Sequence, residues 1–245
     1  MEAVFLALIA IVAFSAFQSV AGVGLLLFGT PTLVLLGFSF SDTLAVVIPT
    51  SLVISSFQLW GGWNDALSIA PRFALQTAPA LALGLLAVFL LGLDFRIHWL
   101  LAAGLATAVI LQISSLSRRS VLKISNRADW LILPIVGLIH GLTNLGGGFL
   151  AFYASIRGGD RAAIRAFIAM GYTVFGTAQI VLLILFSPES FSPLTLSSMF
   201  LGGMVYLTLG RRLFSATSEK GFKILMPIVT SLFLLSLVVS AINMS

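Results

Sequence analysis

Gly137-Leu138-Ile139-His140-Gly141-Leu142-Thr143-Asn144-Leu145-Gly146-Gly147-Gly148 is the stretch on which the fold turns. It lies inside an apolar run, residues 130–156, that would otherwise read as one helix. Three consecutive glycines each cost a helix interior about 1 kcal/mol relative to alanine, so the spacing predicts a break there. The first apolar run, residues 3–37, carries a similar interruption: Gln18-Ser19-Val20-Ala21-Gly22-Val23-Gly24. A shift of 122 residues lays Gln18 on His140, Gly22 on Asn144 and Gly24 on Gly146, and a shift of 121 lays Ala45 on Ala166, Thr50 on Gly171 and Gln58 on Gln179. The common offset and order predict two repeats, residues 1–116 and 130–245, joined by a polar linker, 117–129.

Outside the two runs, six segments read as full membrane spans: about 43–60, 73–93, 97–116, 162–186, 193–210 and 222–242. Each approaches the length a helix needs to cross about 30 Å of hydrocarbon. The chain is 59% hydrophobic and 9% charged, too little charge to cover a soluble domain of this size. A membrane β-barrel would alternate apolar and polar residues, whereas Leu81–Leu91 and Leu232–Val239 are apolar on all sides. The expected fold is therefore an all-α polytopic membrane protein with two inverted repeats, each a broken, Gly-rich re-entrant hairpin followed by three transmembrane helices. Met1-Glu2-Ala3 lacks the basic start of a signal peptide and is read as the beginning of the mature chain.

The distribution of cations supports the hairpin reading. With the linker, which holds Arg118, Arg119, Lys123 and Arg127, placed in the cytoplasm, two topologies compete. If each broken run crossed once, Arg96, Arg157, Arg161, Arg165, Arg211, Arg212, Lys220 and Lys223 would all face outward. If each returns to its own side, only Arg96 does. The second arrangement enters the first hairpin from outside and the second from inside, and puts both termini outside the inner (plasma) membrane. The net charge of +5 then reflects basic loops beside anionic lipid, with no nucleic acid implied.

Broken helices that enter from opposite faces commonly build transporters, with substrate near the midplane. A helix restarting after a break presents free N–H groups and a partial positive charge, which suits an anion. The second arms are expected to start near Gly24–Leu25 and Gly147–Phe149. The candidate substrate-binding residues are Gln18, Gly22, Gly24, Thr50, Ser51, Gln58, His140, Asn144, Gly146, Gly147, Gly148, Tyr172 and Gln179. The plainer alternatives are close packing for the glycines, interhelical hydrogen bonding for the glutamines, a satisfied packing role for His140, and bonds to their own helix for the hydroxyls. Arg165 is placed to attract anions to an inner mouth, but a topology signal is the simpler reading.

Chemistry of other kinds is poorly served. The chain has no cysteine and its two histidines, His98 and His140, are far apart, so thiolate and His-based metal sites are absent and no cofactor or catalytic residue is expected. Walker A, Gly-x-Ser-x-Gly and His-Glu-x-x-His sequences do not occur. An intramembrane enzyme therefore ranks below a carrier, as does a non-transporting scaffold, which has no need of two buried breaks. Protons are the candidate coupling ion, with His140 as carrier, and a homodimer is compatible with the reading.

The motif 137–148 resembles the Gly-rich motif in the second half of the sulfite exporter TauE/SafE family. The first half offers Ala21–Leu33, which keeps a Gly-x-Gly and the Pro31-Thr32-Leu33 of the family pattern but lacks the glycine run. In the second half Tyr153 stands where that proline would fall. The resemblance covers nearly the whole chain as two matched halves. It implies a permease for sulfite, sulfonates or related small organosulfur anions, usually working outward.

Overall fold

A computed structural model describes residues 2–60, 63–92, 97–113, 129–157 and 160–216, together with residues 235 and 239. The expected linker 117–129 up to residue 128, most of the expected span 222–242 and both chain ends lie outside the described residues. Every regular element among those described is helical.

Helix α1 (Glu2–Ala21) is apolar but for Glu2 at its start and the buried Ser15, Gln18 and Ser19 near its end, and it stops at Gly22, whose φ of +77° is the left-handed conformation that favours glycine. The chain re-forms as a π-helical turn, Leu25–Gly29, which runs directly into α2 (Thr30–Leu35) with Pro31 near its start. Phe28 comes back beside α1, with its ring centroid 5.9 Å from that of Phe14 and 5.4 Å from that of Phe17. Residues 3–37 are thus a hairpin, broken where the sequence predicts. Its arms are unequal, however: α1 has 20 residues, long enough by itself to cross a membrane, and the break falls at its end rather than midway. Gly37, at φ +90°, turns the chain into α3 (Phe40–Leu59). Ser39 caps α3 by accepting from the Asp42 N–H at 3.0 Å.

Helix α4 (Trp63–Leu91) and α5 (Ile97–Ile113) complete the first half. The second hairpin is α6 (Asp129–Thr143) and α7 (Gly146–Arg157). Its break is displaced slightly from expectation. Asn144, at φ +59°, terminates α6, and the glycine run forms the first turn of α7. Asparagine tolerates this left-handed geometry better than most residues, so the turn does not need a glycine. Helix α8 (Arg161–Phe186) follows, capped by Asp160 accepting from the Ala163 N–H at 2.8 Å. Helix α9 (Pro193–Val205) continues through a second π turn, Tyr206–Gly210, into α10 (Arg211–Ala216).

Among the described residues, five helical segments are long and apolar enough to span a membrane: Glu2–Ala21, Phe40–Leu59, Ala66–Leu91, Arg161–Phe186 and Pro193–Ala216. Four coincide with expected spans and the fifth is α1. The expected span 97–116 is described to Ile113 as a 17-residue helix. The burial pattern is that of a protein solvated by lipid: Phe5, Leu83, Leu90, Leu185 and Phe200 are exposed, while Gln18, Thr50, Ser51, His140, Asn144 and Gln179 are buried.

Small residues fix how the helices meet. A Cβ at Gly137 or Gly141 of α6 would strike the carbonyl of Thr77 or Leu81 on α4, and one at Gly84 would sit 2.6 Å from the Leu138 carbonyl. These two backbones touch, the close approach that membrane helices reach with glycine, and they run in the same direction. On α1, Ser15 and Ser19 lie against Gly202 and Gly210, so α1 runs alongside α9 and its extension in the same sense. Helix α8 runs against α3: Gly176 faces Ile48 and Leu52, while Arg165 lies towards the C-terminal end of α3.

Candidate functional site

The candidate residues gather at two places, one at each break. At the first, Gln18 in the last turn of α1 reaches α3: its Nε2 donates to the Ser51 Oγ at 2.9 Å, and the Ser51 hydroxyl can return a bond to Gln18 Oε1 at 3.2 Å. Gln58, two turns along α3, donates to the Gln18 carbonyl at 2.8 Å. That carbonyl also accepts the final helical bond from the Gly22 N–H at 2.8 Å. Gln58 therefore supports the point where α1 stops. Gly24 is small for a packing reason, since a Cβ there would lie 2.8 Å from the Gln18 nitrogen. Gly22 faces the stem of Arg165, whose guanidinium donates to the Ser19 carbonyl at 3.1 Å. Thr50 stands apart: its hydroxyl bonds back to the Val46 carbonyl at 2.8 Å, beside the interruption caused by Pro49.

At the second break the bonds form a directed chain. The Gly146 N–H donates to His140 Nδ1 at 3.1 Å. A backbone amide can only donate, so Nδ1 carries no proton, and the neutral ring keeps its hydrogen on Nε2. From there it donates to Gln179 Oε1 at 3.1 Å; Gln179 Nε2 donates to Asn144 Oδ1 at 3.2 Å; and Asn144 Nδ2 donates to Thr30 Oγ1 at 2.8 Å. His140, Asn144, Gln179 and Thr30 are all fully buried. The His140 ring also stacks on Phe175, with centroids 4.4 Å apart.

The glycine run is shaped by its neighbours. A Cβ at Gly146 would enter the His140 side chain, and one at Gly147 would overlap the Tyr172 hydroxyl. Tyr172 is 1% exposed and its Oη has no hydrogen-bond partner among the described residues. Gly148 sits in the same first turn, its N–H bonded to the Leu145 carbonyl at 3.3 Å. The expected row of free amides at this helix start is thus partly occupied: His140 takes that of Gly146, and the Thr143 hydroxyl takes that of Leu145 at 3.1 Å.

The residues that the repeat offset lays on one another, Gln18 on His140 and Gln58 on Gln179, make contacts of the same pattern, each within its own half. Gln18 contacts Gln58 at the first break, and His140 contacts Gln179 at the second. The sequence reading missed Thr30, Ser55, Phe175 and the part taken by Arg165. Ser55 is legible in hindsight, one turn beyond Ser51 on the same face and 3.4 Å from Gln18 Nε2. Thr30 is a lone hydroxyl among apolar residues, and nothing local distinguishes it from Thr32, which bonds to its own helix. Among the described residues there is no group of His, Asp or Glu able to hold a metal ion.

A helical protein with lipid-facing apolar sides and a buried, uncharged polar interior at two helix breaks belongs to the class of polytopic membrane transporters. The family model described as Sulfite exporter TauE/SafE matches residues 6–238. The chain belongs to that family, whose members are membrane transporters of sulfur anions and not enzymes. No curated protein and no solved structure matches it.

Proposed function

We propose that this chain is a secondary permease for a small anion of the sulfite or sulfonate type, that it binds its substrate between the two hairpins, and that the geometry described above is a closed state of the carrier. The observation that carries this reading is the bond from Gly146 N–H to His140 Nδ1. The start of α7 is where an oxyanion would be stabilised by backbone amides, and a neutral side chain of the protein fills that position. Substrate would compete with His140 for the amide, and release of His140 would loosen the chain that runs through Gln179 and Asn144 to Thr30.

Two hairpins in inverted repeats fit this role. Helix α1 runs with α9 and α6 runs with α4, while α4 and α9 belong to opposite steps of the chain's path across the bilayer. That supports entry from opposite faces, the second from the side that holds Arg161, Arg211 and Arg212. By the positive-inside rule this side is the cytoplasm, which puts the termini outside. An anion leaving an inside-negative cell gains about 2.3 kcal/mol per charge per 100 mV, so export of a monoanion needs no coupled ion. Import needs one, and a proton taken by His140 Nδ1 would break its bond to Gly146.

The test is flux of labelled sulfite and of a short alkylsulfonate in proteoliposomes, for wild type and for Gln179→Leu. The wild type is expected to carry at least one of the two, and the variant, folded but with the chain of bonds cut, neither. Absence of flux from the wild type for both anions, under either polarity of membrane potential, overturns the assignment.

A further inference from the structure

A cavity of about 500 Å³ opens between the end of α3, the start of α8 and the second π turn with α10. It lies next to the first break and apart from the His140 chain. Arg165 and Arg211 supply its charge; Phe57, Tyr206 and Phe214 supply its walls; and Gln58 closes its inner end.

The walls are organised. Phe57 and Tyr206 stack with centroids 5.6 Å apart and planes 7° from parallel, and the Tyr206 hydroxyl donates to the Phe57 carbonyl at 3.2 Å. The Arg165 guanidinium lies 3.5 Å over the centre of the Phe214 ring, a cation–π contact that holds it flat against an apolar surface. Neither Arg165 nor Arg211 meets a carboxylate among the described residues. The acid just before α8, Asp160, is engaged in capping that helix. Arg165 uses one N–H on the Ser19 carbonyl, which leaves most of its five donors for a guest. A half-buried guanidinium that meets no carboxylate among the described residues, beside three aromatic rings, suits a ligand with an oxyanion at one end and a flat apolar body at the other. The volume is within the range of small-molecule sites, about 300–1,000 Å³.

We propose that this cavity is a second anion site, at the mouth of the protein, that selects an organic oxyanion with an aromatic or comparably flat apolar body over a bare inorganic one. It rests on the reading of the chain as an anion carrier, and it adds a place of selection distinct from the breaks. Gln58 connects the two: the same side chain lines the cavity and donates to the Gln18 carbonyl where α1 ends.

The experiment is calorimetric binding of benzenesulfonate and methanesulfonate to the full chain purified in an uncharged detergent. Benzenesulfonate is expected to bind the wild type about tenfold more tightly than methanesulfonate. Arg211→Gln, at an exposed position where folding is not at stake, is expected to weaken both by about tenfold. Phe214→Leu, which removes both a wall and the ring under Arg165, should weaken benzenesulfonate more than methanesulfonate. Equal affinities in wild type and both variants overturn the proposal. Phosphatidylglycerol added to the micelles separates the two sources of oxyanion: if it displaces benzenesulfonate, the guanidiniums hold a lipid head group and the small-anion assignment falls, while undiminished binding supports it. Benzenesulfonate binding is read on the purified chain without flux, and sulfite flux in proteoliposomes is read without benzenesulfonate, so failure of the cavity and failure of the transport reading give different results.

Discussion

The Tyr153 hydroxyl donates to Asp129 Oδ1 at 2.6 Å. Asp129 is the first residue of α6 and Tyr153 lies in the third turn of α7, so the chain that entered with Asp129 has returned to the same level by Tyr153. This bond closes the base of the second hairpin as the contact of His140 with Gly146 closes its tip.

Tyr153→Phe keeps the ring in its place and removes the hydroxyl. A hydrogen bond to a charged group contributes about 1.5–3 kcal/mol, and the variant is expected to lose stability of that order. Thermal unfolding in detergent measures it. A melting temperature equal to that of the wild type would mean that this bond does not hold the base.

Gly147→Ala places a methyl group on the Tyr172 hydroxyl. Overpacking of this kind costs about 1–3 kcal/mol, and transport should fall with it. Tyr172→Phe in the same chain should recover part of the loss but not all, because the ring carbon that bore the hydroxyl is still 2.5 Å from the new atom. A double-mutant cycle reads the coupling, and strict additivity would show that the two residues do not touch in the working protein.

His140 is held neutral in the closed chain because Nδ1 accepts from Gly146. Proton binding there opposes the closed state, so lowering the pH should shift the protein away from it, and raising the pH should restore it. The expected outcome is a flux that depends on pH in the wild type and is flat in His140→Gln. The same pH profile in both would remove His140 as the proton carrier.

The absence of native cysteine makes accessibility labelling direct. Ser215→Cys, in α10, is expected to react only from the cytoplasmic side, and Glu189→Cys, exposed between α8 and α9, only from the outer side. A reporter fused after Ser245 should signal the outside. The opposite labelling pattern would invert the topology drawn from the cations.

Much of this architecture can be read from residue order. Gly22 and Gly24 mark the first break, and the long apolar runs mark α3, α8 and α9 with its π turn to within a few residues, because lipid demands uninterrupted apolar helices; α4 is marked too, but it begins at Trp63, ten residues before the expected start at 73. Three features resist such reading. The glycine run suggests a break within itself, yet the turn is made one step earlier by Asn144, and the glycines answer instead to the bulk of His140 and Tyr172. That pressure comes from residues distant in sequence and leaves no local pattern. Thr30 likewise acquires its role only by meeting Asn144. The length of α1 is a third case: residues 3–14 are continuously apolar, and the polar Gln18 in the turns that follow is accommodated by Ser51 on another helix rather than by a break.

The carbonyls of Thr77 and Leu81 rest on Gly137 and Gly141 with no side chain between them. Helices in such contact cannot slide past or roll over one another without exposing backbone to lipid, so α4 and the first arm of the second hairpin travel as a single rigid beam. Any alternation between inward- and outward-facing shapes must then flex elsewhere. The wide turns at Leu25–Gly29 and Tyr206–Gly210, where the helical ladder is already loosened, are the natural joints.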